Sequence, residues 1–177
     1  RLVKQNGIKF SSAKSLAGPL SGLTLQDSEN YFTPSFKFYI RPASTVGGTI
    51  FHKGPLRISL APGNKLNLSL SNYVLSFNTV LKGTIILFIF IGLIGIARNN
   101  WNSVLIYCSN KYRPTIYCFS WVNDTLDGEI VYPSSITFAD TTSKNGYFGS
   151  SATSFIGDIR HFQVANTRAL LYLHGNN

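Results

Sequence analysis

Acidic residues are what this chain has least of. Seven carboxylates stand against sixteen lysines and arginines, a formal net charge of +9, and only 13% of the 177 residues are charged. That is about half the usual ~25%, so the basic excess comes from missing acids rather than added cations. So few carboxylates argue against acid–base catalysis in general. Two cysteines are too few for a disulfide-dense scaffold, and there is no methionine. His52, His161 and His174 are dispersed, and neither H-x-x-x-H nor C-x-x-C spacing occurs, so no zinc site is signalled. No G-x-S-x-G elbow is present, and Gly47-Gly48 has no following helix to form a phosphate loop.

What is present is greasy and aromatic. Hydrophobic residues make up 44% of the chain and aromatic residues 14%, which excludes disorder. A chain of this length forms one domain, residues 1–177, burying roughly 70% of the surface that its unfolded form exposes. The cations are scattered, from Arg1, Lys4, Lys9 and Lys14 onward, with Lys111 and Arg113 the tightest pair. Phosphate binding usually needs a dense basic stripe, so the scatter disfavours nucleic acid. The same sign suits an acidic partner, an anionic glycan or a membrane surface. The first eighteen residues carry four cations and no acid, the composition of a transit peptide. Gly7-Ile8-Lys9-Phe10 nevertheless reads as a strand. With no initiator methionine, the sequence is expected to begin after processing or to be a fragment.

Period-two alternation dominates the middle of the chain. Phe36, Phe38 and Ile40 alternate with Lys37, Tyr39 and Arg41; Leu56, Ile58 and Leu60 with Arg57 and Ser59; Leu66, Leu68 and Leu70 with Asn67 and Ser69. Turn formers separate them: Pro42, Gly47-Gly48, Gly54-Pro55 and Pro62-Gly63-Asn64. Trp101 to Cys108 and Thr115 to Val122 read as a hairpin. The second of these strands carries apolar residues on both faces and is expected to be covered on both sides, in the middle of a two-layer structure. Asn123 to Gly128 reads as a loop. Ile159, Phe162 and Val164 mark a closing strand, and Asn166 to Leu173 would make one or two helical turns. The pattern as a whole specifies an all-β, antiparallel two-sheet sandwich.

The order of these pieces resembles the laminin-G-like, concanavalin A-like jelly roll over nearly the whole chain. Phe32-Thr33-Pro34-Ser35-Phe36-Lys37-Phe38-Tyr39-Ile40-Arg41-Pro42 is similar to that family's F-T-x-S-F-W-V-x-P strand, and Thr49-Ile50-Phe51-His52-Lys53-Gly54 to its I-F-x-K-G element. Trp101 stands where a central strand opens, and Trp121-Val122-Asn123-Asp124 resembles the Y-V-N-G turn, with Asp124 in place of glycine. Phe155 to Phe162 resembles the closing F-x-G-x-I-x-x-F strand. The resemblance implies a non-catalytic recognition module binding a glycan or a protein partner, through a sheet face or the loops at one end. It also implies that the paired glutamates of the glucanase branch should be sought. Glu29 and Glu129 are the only glutamates and lie in separate segments, so that arrangement is not encoded locally.

The family's calcium sites use clustered oxygen ligands, and Asp124, Asp127 and Glu129 form the densest acidic cluster here, against the alternative of a solvated turn. Asn67-Leu68-Ser69 and Asn123-Asp124-Thr125 match the N-glycosylation pattern. Cys108 and Cys118 share parity on adjacent strands and either pair in an oxidising compartment or remain buried thiols. Trp101, Trp121 and Tyr147 suit a sugar-stacking platform, although for the two tryptophans the family pattern favours the core.

One segment is unlike an ordinary sandwich. Gly83 to Ala97 runs fifteen residues without a charge, between Lys82 and Arg98. A membrane-spanning helix needs roughly 17 to 25 apolar residues, so buried strands are favoured, yet the segment is apolar on both faces. Something should cover one of them: a terminal segment, another subunit or lipid. Ile85, Leu87, Phe88, Phe90 and Ile91 are the candidate docking residues. The competing expectation is therefore a structural accessory subunit of a larger, membrane-associated mitochondrial assembly, as opposed to a secreted module. No cofactor is expected unless calcium binds.

Overall fold

The computed structural model describes residues 7–20, 25, 29, 31–54, 56–74, 84–111, 115–131 and 145–165. Within them the chain forms β1 (Ile8–Phe10), β2 (Ser35–Pro42), β3 (Gly48–Lys53), β4 (Leu56–Ala61), β5 (Lys65–Val74), β6 (Thr84–Gly95), β7 (Asn102–Ser109), β8 (Tyr117–Val122), β9 (Thr125–Val131), β10 (Gly146–Phe148) and β11 (Gly157–Ala165). There is no helix among the described residues. The helical turns expected from Asn166 to Leu173 lie outside them, as do residues 1–6.

The strands make two antiparallel sheets. One has six strands in the order β1-β11-β2-β7-β8-β9; the other has five in the order β10-β3-β4-β5-β6. Local chemistry sets these elements. In β2 the inward set Phe36, Phe38 and Ile40 is fully buried, which sends Lys37, Tyr39 and Arg41 to the opposite face. Gly63 and Asn64 adopt left-handed backbone (φ 83° and 57°), closing the β4–β5 turn. Asn123 and Asp124 do the same between β8 and β9 (φ 49° and 64°). Val122 pairs with Thr125, so this is a two-residue hairpin turn. A short polar side chain tolerates the left-handed region, which explains how Asp124 can stand where the family has glycine.

Phenylalanine rings fill the space between the layers. Phe162 on β11 meets Phe36 and Phe38 of its own sheet, at centroid distances of 6.2 and 5.4 Å, and Phe51 and Phe148 of the other sheet at 5.0 and 4.7 Å. The expected disulfide or thiol pair resolves as a disulfide. Cys108 and Cys118 face each other directly across β7 and β8, with Cα atoms 4.1 Å apart and both side chains in the core.

Two expectations are corrected. β8 is not covered on both sides: Phe119 and Trp121 on its outer face are half-buried. Most of the segment expected as a turn or loop from Asn123 is β9, because only the two-residue turn separates it from β8. The strand expected in the uncharged segment is present as the 12-residue β6, at an edge of the five-stranded sheet as described. No described helix is long and apolar enough to cross a membrane.

At the far edges of the two sheets, β6 and β9 are tied by a buried carboxylate. Asp127 Oδ1 accepts the Ile94 N–H at 2.6 Å, and its Oδ2 accepts the Ser120 hydroxyl at 3.1 Å. The bond satisfies a backbone donor on an edge strand.

Phe162→Ala is expected to cost about 3–5 kcal/mol, since it empties the centre of the ring cluster; urea unfolding measures it. Replacing both cysteines by serine is expected to lower stability by about 2–3 kcal/mol through loss of the cross-link, by the same assay.

Candidate functional site

The outer face of the six-stranded sheet is built by the residues that the core rejects. β2 contributes Lys37, Tyr39 and Arg41; β7 contributes Ser103, Leu105 and Tyr107; β8 contributes Phe119 and Trp121. Register aligns them into rows across the sheet. Tyr107 lies opposite Phe119, and Lys37 opposite Leu105, which lies opposite Trp121. Phe119 and Trp121 have centroids 5.9 Å apart, and Tyr117 stands edge-on to Phe119 at 5.7 Å. Tyr39, Trp101, Tyr107, Phe119 and Trp121 are all half-buried rather than enclosed.

A β-bulge then modifies the face. Arg160 pairs with Tyr39 and Gln163 with Lys37, so β11 spends three steps where β2 spends two. Strict alternation from buried Ile159 would turn His161 inward and Phe162 outward. The extra residue, with His161 at φ 53°, keeps Phe162 in the core and leaves both Arg160 and His161 half-buried on the outer side. Left-handed backbone is uncommon outside glycine, though histidine is among the residues that adopt it more readily, and here it sits beside a depression.

That depression has a volume of about 390 Å³, is open to solvent, and is lined by Lys37, Tyr39, Arg160, His161 and Gln163. Tyr39 and His161 meet edge-on at 5.8 Å. The Arg160 guanidinium lies 4.0 Å from the centroid of Trp101 and 5.6 Å from that of Tyr39, a cation–π arrangement that fixes its plane. Arg41 approaches the same indole at 4.9 Å but is held by Asp158, through bonds of 3.0 and 2.7 Å. Neither Lys37 nor Arg160 has such a partner among the described residues. Arg160 Nε and Gln163 Oε1 are enclosed without a hydrogen-bond partner.

The residues singled out from sequence are placed as follows. Asp124 and Glu129 are exposed, whereas Asp127 is turned inward by a bulge in β9 and spends both oxygens on Ile94 and Ser120. The calcium triad therefore does not converge, and no group of three candidate metal ligands forms among the described residues. Asn123 is exposed, but its Oδ1 accepts the Ser103 N–H and its Nδ2 donates to Asn102. Asn67 is half-buried within β5, between β4 and β6. Phe88 and Phe90 stand opposite Leu70 and Leu68, while Ile85, Leu87 and Ile91 stand opposite Tyr73, Ser71 and Asn67. The candidate docking residues thus occupy register positions of both parities along β6. Trp101 and Trp121 are not in the core, contrary to the preferred expectation: β8 turns Cys118, Ser120 and Val122 inward, which leaves Trp121 outside. Tyr147 is on the other sheet, stacked on His52 at 5.3 Å, so the three rings make no common platform.

Lys37, Tyr39, Arg160, His161 and Gln163 went unremarked as a group because scattered cations carry no local signal. The one available clue was the three-residue step from Ile159 to Phe162, which breaks a period of two.

No family profile and no curated protein matches this chain. Among solved structures it is similar to an endo-β-1,4-glucuronan lyase from Trichoderma reesei, at 10% identity and a TM-score of 0.59, covering 92% of this chain and 80% of that one. A heptameric SAP-like pentraxin from Limulus polyphemus matches at 14% identity and 0.51, covering 75% and 63%. The binding domain of botulinum neurotoxin DC, solved in complex with SialylT, matches at 16% and 0.50, covering 81% and 35%. The chain thus spans under two thirds of the pentraxin and about a third of the toxin domain. These likenesses place the fold as a jelly-roll β-sandwich.

On the five-stranded sheet, burial and then the Arg57 guanidinium opposite hold the His52 imidazole below its ordinary 6.5. The folded chain therefore binds fewer protons here than the unfolded one, so this contribution to stability is complete above pH 6.5 and is lost as pH falls below it. His52→Gln is expected to flatten that acid limb, measured as urea midpoints between about pH 7.5 and about pH 5.

Proposed function

We propose that this chain is a non-catalytic recognition module, laminin-G-like in kind, that binds a glycan across the outer face of its six-stranded sheet. One observation carries the reading: five half-buried rings, Tyr39, Trp101, Tyr107, Phe119 and Trp121, spread over the outer face of a sheet whose core is already filled by phenylalanines. Aromatic rings present large, rigid contact surfaces at low entropic cost. Interleaved with them are Ser103, Lys37 and Gln163, the hydrogen-bonding groups that a hydroxyl-rich ligand requires. The toxin domain solved with SialylT supports the reading by analogy of fold. The Cys108–Cys118 bond supports an oxidising, extracellular setting. Recognition through rings and side-chain donors needs no cofactor.

A second reading has its own observation. β6 is a 12-residue strand without a single charged residue, paired to β5. Long apolar edge strands are sites of strand addition, and an accessory subunit docked along β6 in a larger, membrane-proximal assembly would use that edge.

A glycan array probed with the full chain tests the leading proposal. Saturable binding is expected, falling at least about tenfold in Trp121→Ala with the fold intact, because central aromatic anchors carry most of a contact's energy. A folded chain that binds no glycan, or that shortens polyglucuronate chains on incubation, would overturn it. Recovery only in stoichiometric association with other polypeptides, abolished by Ile91→Lys, would favour the subunit reading.

A further inference from the structure

The geometry points to an anion subsite in the depression at the β11 bulge, where the carboxylate or sulfate of an acidic glycan is held by Arg160 and Lys37 while its sugar hydroxyls meet Gln163 and Tyr39. The inference rests on the recognition reading and gives its ligand a chemical class.

Four observations converge on it. The lining is Lys37, Tyr39, Arg160, His161 and Gln163, two full cations and no carboxylate. Arg41 next door shows the alternative fate of a cation on this face, neutralised by Asp158 at 2.7 Å. Among the described residues, Lys37 and Arg160 have no such acid, so the charge there is open to a partner from outside. Second, Arg160 is preorganised. Its guanidinium is stacked 4.0 Å from the centre of the Trp101 ring, which fixes the plane in which its donors point. A guanidinium so fixed loses little freedom on taking an oxyanion, and its fork matches a carboxylate or sulfate edge.

Third, Gln163 lies in register beside Lys37 and lines the same depression, so a side-chain amide, which both donates and accepts, stands next to the two cations. An acidic sugar, which carries hydroxyls beside its anionic group, can use both kinds of group. Fourth, the site is built rather than incidental. The β11 bulge and the left-handed backbone of His161 bring Arg160 and His161 to the same side. Backbone in a sparsely populated region persists where its surroundings over-determine it, often at ligand sites. The depression also opens, through Lys37 and Leu105, onto the Trp121 and Phe119 row, so a saccharide chain lying on the rings would pass its anionic group over Arg160.

Titration calorimetry on the full chain tests this with five probes: a heparin hexasaccharide, an oligoglucuronate, a cello-oligosaccharide of equal length, sodium sulfate and single-stranded DNA. At least one acidic oligosaccharide is expected to bind about tenfold or more tighter than the neutral one, and to weaken with added salt. Whether heparin or oligoglucuronate binds tighter assigns the anion as sulfate or carboxylate. Arg160→Gln is expected to remove that preference, so that acidic and neutral oligosaccharides bind the variant about equally. Arg160→Lys, which keeps the charge but loses the fork, should fall between. If neutral and acidic oligosaccharides bind equally, or Arg160→Gln changes nothing while Trp121→Ala still abolishes binding, the anion subsite is wrong and the recognition face stands. If the folded wild type binds no oligosaccharide, both fall. Tighter binding to DNA than to any saccharide, or binding of sulfate alone, would overturn the assignment to glycans. A thermal melt matching wild type certifies each variant; should Arg160→Gln not fold, Lys37→Gln carries the same comparison.

Discussion

Phe162 must lie between the sheets, and much of this molecule's surface chemistry follows from how the chain meets that demand. Its ring touches four others, two from each layer. Ile159, three residues earlier, must also be inside. An extended strand cannot place residues three apart on one face, so β11 inserts an extra residue at the bulge. The consequence is local and functional: Arg160 and His161 both reach the outer side, beside Tyr39 and Trp101. Packing of the core and shaping of the surface are here one event.

A second bulge, in β9, does the reverse. It turns Asp127 into the interior, where the carboxylate is consumed in tying β6 to Ser120 and β9. The molecule thereby takes one carboxylate of its densest acidic cluster out of solvent, leaving Asp124 and Glu129 exposed, while Lys37, Arg41 and Arg160 gather on another part of the same sheet. With only seven acids in the whole chain, that disposal matters to the sign of the outer face.

These two features also explain what could be read in advance. Strands β2, β4 and β5 were legible because half-buried strands impose a period of two, and their turns carry the glycine, proline and asparagine that the backbone requires. The motif order, from the Phe32–Pro42 strand to the Phe155–Phe162 close, carried the sandwich. Periodicity says which residues share a face, however, not which face is inward when both are apolar. For that reason the pattern puts Trp121 in the core, whereas β8 turns it outward. Bulges change parity without changing composition, so Asp127 was grouped with solvent-facing acids. Lys37 and Arg160 meet only through pairing between distant strands, which no local spacing records.

The central claim is that the extra residue in β11 shapes the outer face, by bringing Arg160 and His161 to one side, while Ile159 and Phe162 keep their places in the core with or without it. Urea unfolding of a variant lacking His161 tests it most directly. Deletion restores regular alternation from Ile159 through Phe162, so the account predicts a stability within about 1 kcal/mol of the parent, the scale of a tolerated surface change. A loss as large as that of emptying the Phe162 position, about 3–5 kcal/mol, would contradict it.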